Sequence, residues 1–382
     1  MSIFFFIILL YILYILLFFL KIDNKLYILF ICLTLPIPGY FHDPISVYMY
    51  NLTGEGGYAD TYRIFNEMDL FRQWGWNAFS GYDGSILAKV YIYFFAMLGN
   101  NNILSLFNAL VVYFLALYTI NKIGKHLLVN DNIRRFSILY ITLFTNYFYV
   151  CTNIRQQLAI TICFFFLVYD LIEKKHRIIC FLSYCITGLL HPSVLILVVL
   201  RPMLSLPYKL WLCIIPILIV IENIFMDSII NILLFSNIDF LTNLAWKQIT
   251  YNGEYEIFKT GVYFKCAVGS VDFFLVISSL FLVKYLSRDI LKKYKKIINL
   301  GLIMGCIGIL TIIMDMDFLG RIEFFGVYII GIYIFLFNKK VYFDIKNNKY
   351  YRIFLIYIIL LSTTAVYAIY MNIINAMKNY HY

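Results

Sequence analysis

The segment from Asn153 to Leu197, NIRQQLAITICFFFLVYDLIEKKHRIICFLSYCITGLLHPSVLIL, sets an arginine at the start of one apolar stretch and a histidine at the end of the next. A guanidinium presents a planar fork that can hold a diphosphate at two points, a geometry an ammonium lacks. An imidazole titrates near neutrality and suits a general base that takes a proton from a sugar hydroxyl. Pro192 directly follows His191 and ends the helix there, where a loosened carbonyl and a polar side chain could face a cavity. Taken singly, Arg155 reads equally well as a snorkelling interfacial anchor and His191 as a hydrogen-bonded helix-edge residue.

Other residues compete for the same work. Arg321 opens a later apolar stretch just after Asp315 and Asp317, so a second cation stands at a helix start. Asp60, with Tyr62 and Arg63, lies in an aromatic segment suited to stacking on sugar rings, and is the second choice of base. Asp43, Asp83, Glu254 and Glu256 read as solvated loop charges. Asp272 falls inside an apolar run, where an acid is a functional candidate by default. Of the remaining histidines, His42 and His381 share the side of the chain assigned to His191.

The elements that must position these residues follow from composition. The chain has 382 residues, 63% of them hydrophobic and 14% charged, with a mean hydropathy of +0.82. Repeated lipid-length apolar runs on that scale predict an all-α, polytopic membrane protein in one domain, 1–382, with the lipid bilayer as its solvent. The net charge of +10 is scattered in short clusters between the runs. It forms no single basic face, so nucleic acid is excluded as a partner. The N-terminal run lacks a basic n-region and a small-residue cleavage site, and reads as a retained helix. The eight cysteines lie mostly within apolar runs, without metal-ligand spacing, and read as packing; no metal site is predicted. No Walker A loop, dinucleotide fingerprint or His-Glu-x-x-His occurs, so no cofactor is expected.

Crossings are predicted near 3–20, 26–39, 103–121, 136–152, 156–172, 177–190, 192–205, 209–226, 266–285, 296–314, 320–337 and 351–371, about 11–12 in all. With the N-terminus outside, 22 of the 31 Lys and Arg residues fall on the inner side and 9 on the outer, as the positive-inside rule requires. Two long outer loops result, 40–102 and 227–265. The short run Ile86–Leu98 within the first reads as a re-entrant or interfacial outer helix. At 1.5 Å per residue, the helical arms after Arg155 and before His191 are roughly 24 Å and 20 Å long, so both residues return to the outer face, the histidine a few Å deeper.

Asn153-Ile154-Arg155-Gln156-Gln157-Leu158-Ala159, the basic hinge at Lys174-Lys175 and Leu189-Leu190-His191-Pro192-Ser193 together resemble the EpsG family of Wzy-type bacterial polysaccharide polymerases. The first outer loop around Asp60 and Tyr62, and Arg321 at a late helix start, are similar too. Asp60-Thr61-Tyr62 is tighter than the family's looser Asp…Tyr spacing. The resemblance implies a GT-C-like helical glycosyltransferase of the bacterial plasma membrane, with its site facing the periplasm or exterior. It implies a polyprenyl-diphosphate-linked oligosaccharide as substrate, a chain-length regulator protein as partner and metal-independent chemistry. Repeat units would be joined by inverting transfer. Arg155 and Arg321 would hold the diphosphate, His191 or Asp60 would act as base, and Tyr62, Arg63, Gln156, Asp315 and Asp317 would contact substrate.

Two other classes stay open. A GT-C transferase taking one sugar from a polyprenyl monophosphate would use an acidic pair such as Asp315 and Asp317. A flippase or transporter for lipid-linked glycans would need polar residues through the bilayer midplane and symmetry between halves, and only Asp272 points that way.

Overall fold

The computed structural model describes residues 3–41, 60–81, 86–145, 147–236, 242, 245, 262–313, 323–343, 357 and 361. The chain is all-helical, with no strand among the described residues. Helices α1 (Ile3–Phe19), α2 (Asn24–Thr34) and the single turn α3 (Ile37–Tyr40) precede α4 (Asp60–Trp74) and α5 (Ile86–Ala96). Then come α6 (Asn102–His126), α7 (Asp131–Phe144), α8 (Tyr147–Thr152), α9 (Ile154–Val168), α10 (Arg177–Gly188) and α11 (Leu195–Met203). The last four are α12 (Tyr208–Leu234), α13 (Val262–Tyr285), α14 (Arg288–Ile313) and α15 (Glu323–Phe343). Asn102–His126 and Ile154–Glu173, the latter being α9 with its terminal π-turn, are each long and apolar enough to cross a membrane.

Several boundaries differ from those predicted. The run 136–152 is two helices, because Thr145 adopts an extended conformation (ψ 118°) and ends α7. The stretch 192–205 contains only the nine-residue α11 after a tight turn at Pro192–Val194. Helix α12 runs on to Leu234 and α13 begins at Val262, so helix occupies both edges of the predicted loop 227–265. Most of the last predicted crossing, 351–371, lies outside the described residues.

Local chemistry accounts for the helix ends. Asp23 accepts from the Lys25 and Leu26 amides (2.7 and 3.4 Å) and caps α2, while Asn130 accepts from the Asn132 amide (2.8 Å) and caps α7. These side chains take amides that have no partner within the first turn. The Lys25 amide holds the Asp23 carboxyl below the usual carboxylate range. At the hinge between α9 and α10, Lys174 and His176 both take left-handed backbone angles (φ 57° and 49°), a region that non-glycine residues seldom enter.

Printed contacts fix the relative directions. Asn108 meets Val150 and Lys122 meets Glu173, so α6 and α9 run the same way. Gly331 packs on Ile120, and Phe335 approaches Gly124, so α15 runs with them. One end of the bundle then gathers the basic connections. Arg135 Nη2 donates to the Ile22 carbonyl (2.5 Å) and Asn24 to the Asp131 carbonyl (3.3 Å). Lys122 pairs with Glu173 (3.1 Å), Lys295 donates to the Ser205 carbonyl (2.7 Å), and Asn299 donates to Leu204 and Leu206.

The outward faces are apolar. Phe5, Leu9, Ile12, Leu16 and Phe19 line the exposed side of α1, and α12 exposes Ile217, Leu218, Ile224 and Ile232. Ile178 is 78% exposed. Inside, by contrast, Asn108, Gln157, Thr161, Asp170, Asp272 and Asn299 are buried. A second, smaller core joins Ile64, Phe65, Met68 and Phe71 of α4 to Ile92, Phe95 and Ala96 of α5, Leu104 of α6 and Ile154 of α9. The outer face of α5 is apolar (Ile86, Val90, Phe94), whereas α4 exposes Arg63 and Asp69.

Candidate functional site

At the end opposite the basic connections, the chain breaks between α8 and α9. Asn153 leaves the helical region (φ −94°, ψ 53°), and α9 starts afresh at Ile154. A helix that stops leaves its last carbonyls without partners inside the helix. Three of those in α8 are met from elsewhere. Asn108 donates to the Val150 carbonyl (2.9 Å), and Thr61 Oγ1 lies against those of Cys151 (3.3 Å) and Thr152 (3.0 Å).

Arg155, one residue into α9, is half-buried. Its neighbours fix it from two directions, since Ile154 enters the small α4–α5 core while Gln156 and Gln157 are buried in the main bundle. Gln157 is completely buried, and neither atom of its amide has a hydrogen-bond partner among the described residues. One turn inward, Thr161 Oγ1 meets Tyr328 Oη of α15 at 3.1 Å, and Phe164 packs on the Tyr328 ring. The first residue of α15, Glu323, lies five residues outward of Tyr328, on the Arg155 side.

His191 stands at the tip of the hairpin formed by α10 and α11. Thr187 Oγ1 and Cys163 Sγ, 3.2 Å apart, join this hairpin to α9. The Gly188 position lets its two arms close, because a Cβ there would lie 2.2 Å from Leu195 Cδ2. Thr187 meets Cys163, eight residues inward of Arg155, and the chain continues from Thr187 toward the Arg155 end, which places His191 there.

The imidazole has a defined local task. His191 Nδ1 accepts from the Ser193 amide (3.3 Å) and pairs with Ser193 Oγ (2.7 Å), capping the Pro192–Val194 turn. With Nδ1 accepting, the neutral ring carries its proton on Nε2 and is a donor there. To accept a proton at Nδ1, the ring must first give up the cap.

The first-loop residues reach this end through α4. Asp60 is its first residue, and its side chain lies outside the described atoms. Tyr62 is half-buried, and Arg63 is exposed and paired with Glu67 along the helix (3.7 Å). Arg321, Asp315 and Asp317 lie outside the described residues. The structure thus brings Arg155, Gln156, His191 and the start of α4 to one end of the bundle.

Sequence reasoning passed over Thr61, Asn108 and Gln157, which carry the local polar contacts and burial. It also passed over Asp170, whose carboxylate takes both Arg201 Nε (2.5 Å) and Nη2 (2.8 Å) at the basic end, with Tyr184 Oη at 3.3 Å. A polar residue flanked by bulky apolar ones at the end of a span was the available signal for Thr152–Asn153 and Asp170. The chain matches no family model, no curated protein and no solved structure.

Proposed function

We propose that this chain spans the bacterial plasma membrane many times. On the outer face it polymerises polyprenyl-diphosphate-linked oligosaccharide repeat units. The membrane reading rests on apolar outward faces combined with polar groups in the interior, the inverse of a water-soluble surface. The orientation rests on the basic connections, which share one end and belong on the cytoplasmic side. Helix α5, apolar on its exposed face, lies in the outer interface with α4 above it in water.

The observation that carries the catalytic reading is the convergence of Arg155, the His191 hairpin tip and the start of α4 at the end opposite those connections. Departure of a lipid diphosphate builds negative charge on the leaving oxygens and positive charge on the anomeric carbon. A fixed guanidinium at the diphosphate favours that transition state over the ground state. Arg155 fills this role, and Arg321 is its partner in the proposal. With its Nδ1 in a cap, His191 serves as an Nε2–H donor to the substrate, and the base that accepts the acceptor-hydroxyl proton becomes Asp60. The incoming hydroxyl forms the new glycosidic bond as the bond to diphosphate breaks, inverting the configuration. The buried Gln157 amide adds a neutral donor and acceptor suited to sugar hydroxyls.

Deleting the gene in its host and restoring it as wild type or Arg155→Lys tests this reading through the length distribution of surface polysaccharide. The deletion should leave single-repeat products. Arg155→Lys should insert normally yet lower polymer on the order of a hundredfold, the scale of one missing transition-state donor. Normal chain lengths in the deletion strain would sink the reading.

A further inference from the structure

We propose that Thr61 is a positioning residue that registers α4 on the turn carrying Arg155; its functional half rests on the polymerase reading above. Thr61 is the second residue of α4, fully buried, and separated by 90 residues from the Cys151 carbonyl it meets. Its hydroxyl lies between two successive carbonyls at the end of α8, 3.3 Å from that of Cys151 and 3.0 Å from that of Thr152. Those carbonyls have lost their helical partners because the chain breaks at Asn153.

The same helix grips the far side of the break. Ile154 is completely buried in the small core that also holds Ile64, Phe65 and Met68, one and two turns along α4 from Thr61. Polar contact before Asn153 and apolar contact after it therefore come from a single rigid element. Sliding α4 by one residue would rotate Thr61 away from the carbonyls and Ile64 away from Ile154 together. The register that satisfies both contacts sets where Arg155 begins, and it sets where Asp60, one residue before Thr61, enters the site. Thr61 touches no substrate in this scheme and acts only through the two segments it joins.

The hydroxyl is the specific requirement, because valine matches threonine in shape and removes the donor that lies against both carbonyls. Thr61→Val and Thr61→Ser in the full-length protein, in host membranes, separate the chemistry from the packing. Met68 is a fully buried residue of α4, and alkylation by N-ethylmaleimide of a cysteine placed there (Met68→Cys), read peptide by peptide by mass spectrometry, reports whether α4 stays seated. Thr61→Val should raise labelling at position 68 about tenfold, the ratio expected for loss of one buried hydrogen bond, and Thr61→Ser should restore it. Polymer should fall in Thr61→Val at an unchanged amount of inserted protein and recover in Thr61→Ser.

Unchanged labelling at position 68 in Thr61→Val overturns the proposal. Raised labelling with wild-type polymer, in a strain where Arg155→Lys abolishes polymer, also overturns it, since α4 would then be held without serving the site. If Arg155→Lys itself leaves polymer unchanged, the polymerase reading fails. The labelling ratio then decides alone whether Thr61 registers α4.

Discussion

Asp170 and Arg201, 31 residues apart, form a two-point ion pair in which Arg201 Nε and Nη2 each meet one carboxylate oxygen. The carboxylate is almost fully buried and is also bonded by Tyr184 Oη. One contact thus ties the end of α9 to both arms of the hairpin that carries His191 at its other end.

Removing either partner should cost more than losing a surface pair. Asp170→Asn strands a guanidinium and Arg201→Met strands a buried carboxylate, each lowering stability by about 3 kcal/mol. Thermal unfolding of the purified protein in detergent measures this. The double replacement Asp170→Leu with Arg201→Met should recover a large part of the loss, because no unpaired charge then remains. Equal or greater destabilisation in the double variant would show that the pair is not the source.

The state of His191 is open to a direct comparison. As an Nε2–H donor, His191 should tolerate Gln, which keeps an N–H and does not titrate, far better than Ala. Polymer in His191→Gln should stay within about tenfold of wild type, against on the order of a hundredfold loss for Asp60→Asn. If His191→Gln is as inactive as Asp60→Asn, the imidazole is a base after all and the cap opens during reaction.

Gly188 sets the closure of the α10–α11 hairpin. Gly188→Val forces its side chain into Leu195, whose Cδ2 and Cγ would lie 2.2 and 2.7 Å from the new Cβ. Overpacking of this kind costs about 1–3 kcal/mol and displaces the tip that bears His191. Adding Leu195→Ala should restore both melting temperature and polymer length. Failure of the second substitution to rescue would separate the glycine from the hairpin contact.

Asp23 gives the protein an acid-sensitive cap. Its carboxyl is held below its usual range chiefly by the Lys25 amide, so the folded state binds the proton less readily than the unfolded chain. The resulting stability is fully present above the unfolded value near pH 4 and is lost as pH falls through the lower folded value. Asp23→Ala should therefore lower stability by about 1 kcal/mol at pH 7. Melting curves of the two proteins should converge once pH has fallen below the lowered folded-state value. A gap that persists at low pH would place the effect elsewhere.

Much of this was legible in the sequence because it depends on local spacing. The lengths of the two apolar arms were enough to return Arg155 and His191 to one end. The clusters of Lys and Arg were enough to group the opposite connections. What stayed hidden depends on contacts across long stretches of chain. Nothing in the vicinity of Thr61 announces that its hydroxyl meets carbonyls of residues 151 and 152. Asp170 is paired by Arg201 from 31 residues away, a contact that local spacing does not reveal. The break at Thr145 was missed because a single polar pair inside an apolar run does not disturb its average hydropathy. Three expected contributors, Arg321, Asp315 and Asp317, lie beyond the described residues.

The stitching of the basic end also dictates an order of assembly. The Ile22 carbonyl is claimed by Arg135, 113 residues downstream, and Asn24 waits for Asp131. A chain made from its N-terminus thus holds α1 and α2 without these two contacts until α7 has been made. The Arg201 latch, by contrast, closes only 31 residues after Asp170 is made. Synthesis therefore closes the hairpin carrying His191 within a short length of chain, whereas Ile22 waits 113 residues for Arg135.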